Sequence, residues 1–291
     1  YIPKYRSHGY TCALDKKIRE LGGDIEYNTK VEKIFVENGK IIGVETSQGD
    51  KIKTNYVVSN ASPHLVYNNL IYPKSEVPEI AYKTCNARKV GFSALVVYLG
   101  LDKTFKELGL NEYGYFVYSS PDTNDIYKAF SVLDTPMAQA TICLNNGIPD
   151  CSPKGTSIMS FTTLFRGDCW EGVEPKDYFD LKSKLAKAMI EDFEKALGVS
   201  IQDSIEEIEI ATPATFANYT GAFNGSIYGY EPEPWDSIMP RLMSMNGEVY
   251  IKGLQFSGGF AARCHGYSSS LLSGEMAALL NYKNFLEEQK S

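Results

Sequence analysis

Residues 247–280 read GEVYIKGLQFSGGFAARCHGYSSSLLSGEMAALL, and this stretch constrains the fold more than any other. EVYIKG predicts a buried strand, Gly258-Gly259 and Gly266 a loop, and the run from about Ser268 a helix whose small residues allow close packing. Glycines between a strand and a helix let the backbone approach a ligand beside the positive end of the helix. The plainer reading is a strand-to-helix connection whose glycines only supply positive φ. Spacing alone leaves both readings open. No G-x-G-x-x-G occurs in the 291 residues, so the usual dinucleotide fingerprint is not in this chain.

A terminal strand and helix of this kind need neighbours, and the start of the chain offers them. Residues 12–21 predict a helix with Leu14, Ile18 and Leu21 on one face and Gly22-Gly23 as its stop. VEKIFVENGKIIGVET is two alternating runs joined by Asn38-Gly39, the strongest short hairpin signal. YVVSN is a β-branched strand that ends at Asn60-Ala61-Ser62-Pro63. The character then changes. SALVVYLGL, YGYFVYS, ATICLNN, TSIMSFTTLF and SIEEIEIATP are strand-like runs separated by turns. YFDLKSKLAKAMIEDFEKALG is an amphipathic helix with Leu181, Leu185, Met189, Phe193 and Leu197 at four-residue spacing and Gly198 as its stop. The expectation is an α+β fold in which residues 1–63 and 247–291 form one body and residues 64–246 an inserted, mainly antiparallel sheet-and-helix domain.

A net charge of −7 argues against a nucleic-acid partner and against docking on anionic lipid. The longest apolar run, FSALVVYLGL, is far too short to span a bilayer. Six cysteines without a C-x-x-C pair predict free thiols and a cytoplasmic location. His8, His64 and His265 with Cys264 match no metal-ligand spacing, so no metal site is expected. Walker A, G-x-S-x-G and H-E-x-x-H patterns are absent, which leaves NTPase, hydrolase and zincin readings without support. TPATFANYTGAFNGSIYGYEP, with Phe216, Tyr219 and Phe223, can line an apolar pocket, or can be a surface loop packed on itself.

Taken in order, three segments resemble the phytoene dehydrogenase-like flavoproteins, the family of carotenoid desaturases, carotenoid isomerases and retinol saturases. The first is LDKKIRELGGDIEYNTKVEKIFVENGKIIGVETSQGDKIKTNYVVSNASP, the second TPATFANYTGAFNGSIYG, the third VYIKGLQFSGG followed by SGEMAA. The resemblance covers both ends and the junctions; the middle is similar only in length and strand content. It implies a remnant of an FAD/NAD(P)-binding three-layer unit, with the inserted domain binding substrate. In that reading Val31 holds the adenine edge of FAD, Asn60 and Ala61 border the adenosine and pyrophosphate path, and Gly253, Gln255, Gly258 and Gly259 pass beside the flavin. Two departures stand out. Leu254-Gln255 follow the strand's glycine where many relatives carry an acidic residue or Gln, and the stretch from Gly259 to Ser273-Gly274 is longer than usual.

The implied activity is FAD-dependent addition, removal or isomerisation of C=C bonds in a lipophilic, isoprenoid-like substrate, with Phe216, Tyr219 and Phe223 at its pocket. No catalytic acid or base is assigned. The absence of an initiator Met and of the phosphate-binding glycines leads us to expect a C-terminal fragment, inactive alone and without tightly held FAD. Peripheral membrane contact for substrate access and self-association through the truncated face are further expectations. The alternatives are an amine-oxidase-like flavoprotein and a non-catalytic binder of lipophilic ligands.

Overall fold

The computed structural model describes residues 3, 5–231, 250–261 and 266–290. In chain order, helix α1 (Arg6–Glu20) precedes strands β1 (Val31–Glu37), β2 (Lys40–Thr46), β3 (Lys51–Lys53), β4 (Val57–Ser59) and β5 (Ile71–Tyr72), then helix α2 (Glu79–Asn86). Strands β6 (Ser93–Leu101) and β7 (Gly114–Tyr118), helix α3 (Thr123–Ala129), and strands β8 (Ala138–Cys143) and β9 (Ser157–Phe165) come next. Helix α4 (Tyr178–Leu197), strand β10 (Ile205–Ala211), helix α5 (Pro213–Thr220), strand β11 (Leu254–Phe256) and helix α6 (Tyr267–Glu288) follow, with shorter helical turns between the elements.

The chain divides into two units. Unit A comprises Glu26–Gly91 and Ile227–Ser291; unit B comprises Tyr1–Ile25 and Phe92–Ser226. The junctions therefore differ from those expected near residues 63 and 247. Residues after Pro63 stay with unit A because Val66, Tyr67, Ile71, Val77, Ala81 and Cys85 share one buried cluster with Ile34, Val36 and Ile41 of the hairpin. Helix α1 groups with unit B, and none of its residues is buried. Its Leu14, Ile18 and Leu21 remain exposed, so the stripe legible in sequence is not covered by any described residue.

Unit A holds a four-stranded sheet in the order β3-β2-β1-β5, antiparallel except for the β1–β5 pair. The β1–β2 turn forms at Asn38-Gly39 with φ of 51° and 72°, the left-handed values that a tight hairpin turn demands. A separate parallel pair, β4 with β11, matches Val57 to Leu254 and Ser59 to Phe256. EVYIKG is the stretch expected to form this strand. The strand instead lies just after it, opposite the three-residue β4, while Lys252 makes a lone bridge to Lys40 and Glu248 and Val249 lie outside the described residues. Helix α6 packs on the pair through its small face. Ser273, Ala277 and Asn281 are buried, and the Asn281 amide donates to the carbonyls of Gly253 and Val57 at 3.3 and 3.5 Å.

Unit B is built on an antiparallel sheet in the order β10-β6-β9-β8-β7. Alternate residues Leu95, Val97, Leu99 and Leu101 of β6 share a buried core with Met159, Phe161 and Phe165 of β9. Helix α4 closes that core with Leu185, Met189 and Phe193, and the Phe161 and Phe193 rings meet edge-on at 5.1 Å. Each such side chain contributes about 1.5–3 kcal/mol on burial. Gly198 ends the helix in the left-handed conformation at φ 67°. The aromatic segment after β10 is not a loop throughout. Thr212 and Thr215 form a reciprocal cap around Pro213, and a helix runs to Thr220. Among the described residues, no helix is long and apolar enough to cross a membrane.

Candidate functional site

Unit A carries a cleft of about 650 Å³. Its wall starts at Val31, at the head of β1, and passes along β4 to Asn60 and Ala61. Ile34, Val44, Val57, Leu65 and Leu70 supply an apolar lining, and Lys30, Lys33 and Asn69 add polar groups. Val31, Asn60 and Ala61 are thus brought together from distant positions in the chain, by β4 ending beside the hairpin. A flat, partly polar ring system fits a cleft of this size and lining.

The glycine loop lies beyond the end of β11. Gly253 has φ 88°, and a Cβ there would stand 2.1 Å from the Asn55 carbonyl oxygen. Gly258 has φ 80°, and its Cβ would stand 2.0 Å from Asn60 Oδ1. The Gly258 N–H donates to Ser273 Oγ at 2.8 Å, and the Ser273 hydroxyl donates to the Ser270 carbonyl at 2.7 Å. Gly259 faces Gly229, where a Cβ would come within 1.7 Å of the Gly259 oxygen. These close approaches are therefore made to the chain itself. Gln255 is buried on β11 opposite Val58. Asn60 joins the two parts, lining the cleft while its side chain packs on Gly258.

Phe216, Tyr219 and Phe223 belong to unit B. Phe216 is half-buried on α5, whereas Tyr219 and Phe223 are 83% and 58% exposed. The segment that contains them is split, since residues from Ile227 onward lie in unit A. Within that unit, Tyr228 to Tyr230 adjoin the glycine loop. Cys264 and His265 lie outside the described residues; among those described, no three His, Cys, Asp or Glu are grouped to hold a metal.

One cluster beside the loop has no counterpart among the motifs of the sequence. Tyr230 is 7% exposed, its ring edge-on to Phe260 at 5.1 Å and 5.7 Å from His64, with the Arg88 guanidinium 4.1 Å above it. Its hydroxyl donates to Cys85 Sγ at 3.7 Å. Burial holds the His64 imidazole below its ordinary pKa, against the opposing pull of a hydrogen bond with the Cys85 backbone. Burial also raises the Cys85 thiol. The signal that could have found this cluster is Gly229 flanked by two tyrosines, which marks a close backbone approach among aromatics. Elsewhere in the unit, Tyr56 donates to Glu288 and Lys252 pairs with it at 2.7 Å, fastening the end of α6; burial, then the hydrogen bond to Glu288, push the Tyr56 phenol up to about 12.

Comparison with known proteins gives this geometry a setting. Residues 7–278 match the family described as flavin containing amine oxidoreductase. The prolycopene isomerase of Daucus carota is 26% identical over 291 residues, covering 97% of this chain and 44% of that protein. The all-trans-retinol 13,14-reductase of Danio rerio is 24% identical over 278 residues, covering 87% of this chain and 45% of that protein. The chain thus spans under half the length of these relatives. Among solved structures, an oxidoreductase from Methanosarcina mazei shares the fold at a TM-score of 0.58 and 15% identity, over 92% of this chain and 53% of that one. With the match running through nearly all of both units, the chain belongs to the flavin-containing amine oxidoreductase family.

Proposed function

We propose that this chain acts as part of an FAD-dependent oxidoreductase that adds, removes or isomerises C=C bonds in a lipophilic, isoprenoid-like substrate. The observation that carries the reading is the convergence of Val31, Asn60 and Ala61 on one cleft, with Asn60 packed on the glycine loop. The names of the relatives, an isomerase of prolycopene and a reductase of retinol, favour an isoprenoid over an amine as the substrate.

The residues present fit a dinucleotide flavin. The cleft accepts an adenine ring between Val31 and Ala61, Asn60 offers both a donor and an acceptor at its rim, and Gly258 gives the loop no side chain toward Asn60. Gly253, Gln255, Gly258 and Gly259 would border the flavin ring. When bound, FAD would supply hydride exchange with the carbon chain of the substrate. The task of Phe216, Tyr219 and Phe223 would be to hold an apolar substrate and exclude water. Substrates of this kind partition into lipid, which supports peripheral contact with a membrane. The uncovered Leu272, Leu279, Tyr282 and Leu286 of α6 support self-association. The five described cysteines are unpaired, which supports a reducing compartment such as the cytoplasm.

The test is to titrate isotope-labelled protein with ADP and follow backbone amide shifts. Shifts confined to residues 30–34, 57–61 and 69–70 are expected. Shifts elsewhere, or none at millimolar ADP, would remove the cleft from the cofactor site.

A further inference from the structure

The chain leaves unit A after Gly91 and re-enters it at Ile227, and the two passing segments are tied together inside unit A. The Gly91 N–H donates to the Gly229 carbonyl at 2.6 Å and the Glu231 N–H to the Lys89 carbonyl at 2.9 Å, around an antiparallel bridge of Val90 with Tyr230. A Cβ on Gly91 would stand 2.8 Å from the Gly229 oxygen, and one on Gly229 1.7 Å from the Gly259 oxygen. Three backbone layers are therefore stacked at glycine spacing: the outgoing segment, the returning segment and the loop Gly258–Phe260. Only glycine permits such an approach.

Side chains around this stack converge on one ring. Tyr230 meets Phe260 of the loop, His64 after β4, Arg88 of the outgoing segment and Cys85 of α2. Among the described residues, further restraints on the loop are the Ser257 N–H to Ser59 carbonyl bond at 2.9 Å, the Gly258 bond to Ser273, the Asn60 side chain, and the Ala261 N–H to Gly258 carbonyl bond at 3.1 Å within the loop. The first three of these hold its first residues. Gly259 and Phe260 lean on Gly229 and Tyr230.

We infer that Tyr230 is a positioning residue for the glycine loop: it fixes Gly259 and Phe260 through ring contact and the Gly229 backbone, so that the segment returning from the inserted unit sets where the loop lies. Its bearing on the cofactor rests on the proposed function, which places this loop beside the flavin. The positional claim itself concerns only this chain.

The test is hydrogen–deuterium exchange on the intact chain, comparing amides of residues 257–261 with amides of β1 and β2 in the same unit as an internal control. Tyr230→Leu removes the aromatic contacts while keeping an apolar side chain. It should speed exchange in the loop by about tenfold or more and leave β1 and β2 unchanged, an opening of a local unit rather than a global one. Tyr230→Phe keeps the contacts with Phe260, His64 and Arg88 and should restore protection. Gly229→Ala, which forces the backbones apart without touching an aromatic ring, should also release the loop. The inference is overturned if Tyr230→Leu leaves the loop as protected as before, if loop and control amides change together, or if the phenylalanine variant behaves like leucine. Should Tyr230→Leu fail to fold, Gly229→Ala decides alone, by whether its loop exchange rises. None of these readouts needs flavin, so they can fail independently of the ADP titration.

Discussion

Gly253 and Gly258 both hold positive φ, yet an added Cβ would meet different obstacles. At Gly253 the obstacle is the Asn55 carbonyl, part of the backbone; at Gly258 it is the amide end of Asn60, a side chain that can turn away. Backbone strain costs about 1–3 kcal/mol at either position. Gly253→Ala should therefore lower the urea midpoint of unit A by clearly more than Gly258→Ala, and equal losses would show that Asn60 is as immovable as the backbone. His64 adds a pH dependence. Its folded pKa lies below the unfolded value of about 6.5, so the unfolded chain binds the extra proton first. The stabilisation is present above about 6.5 and is lost as pH falls from there through the folded value. Unfolding curves between about pH 7.5 and 5 should show this loss, and His64→Phe should flatten it. An unchanged slope would assign the acid sensitivity to other groups.

Among the elements, α4 shows how far spacing alone goes. Leu181, Leu185, Met189, Phe193 and Leu197 recur every four residues, but Phe193 is fully buried while Leu197 is 36% exposed. Phe193→Ala should cost about 3–5 kcal/mol and Leu197→Ala under about 1 kcal/mol in chemical denaturation. Similar costs would mean that the last turn is covered in solution. The hairpin, β6 to β10 and the stop at Gly198 are legible in sequence because each carries a local signal: Asn-Gly, alternation or a left-handed cap. β11 is displaced from EVYIKG because its place is set by pairing with Val57–Ser59 of β4, a register that no local pattern reports. Helix α5 is hidden by its aromatics and by the glycines that follow it, although Thr212, Pro213 and Thr215 spell a cap. The Tyr230 cluster leaves only one local mark in sequence, Gly229 between two tyrosines, because His64, Cys85, Arg88 and Phe260 are scattered along the chain and meet Tyr230 only in the fold.

At the scale of the whole molecule, the order of strands and helices suggests one unit interrupted in sequence by another, although residues 1–25 group with unit B and not with the unit expected at the chain ends. The junctions are harder to place, because residues 64–91 look no different in composition from the inserted sheet beyond them; they join unit A through the core they complete. In the proposed function this chain supplies the adenine-side cleft and the glycine loop, and its 291 residues contain no glycine-rich phosphate fingerprint. Charge-assisted hydrogen bonds to phosphate contribute about 1.5–3 kcal/mol each, so the chain alone should hold FAD weakly and lose it on gel filtration. The most direct measurement is equilibrium dialysis of the purified chain with FAD, repeated with Ala61→Trp and Val31→Trp, which fill the cleft. Saturable binding that ADP displaces, and that both substitutions abolish, is the expected result. Saturable binding that survives both substitutions would show that the cleft is not where this chain meets its cofactor, and stoichiometric retention of FAD through gel filtration would contradict the weak binding expected without phosphate contacts.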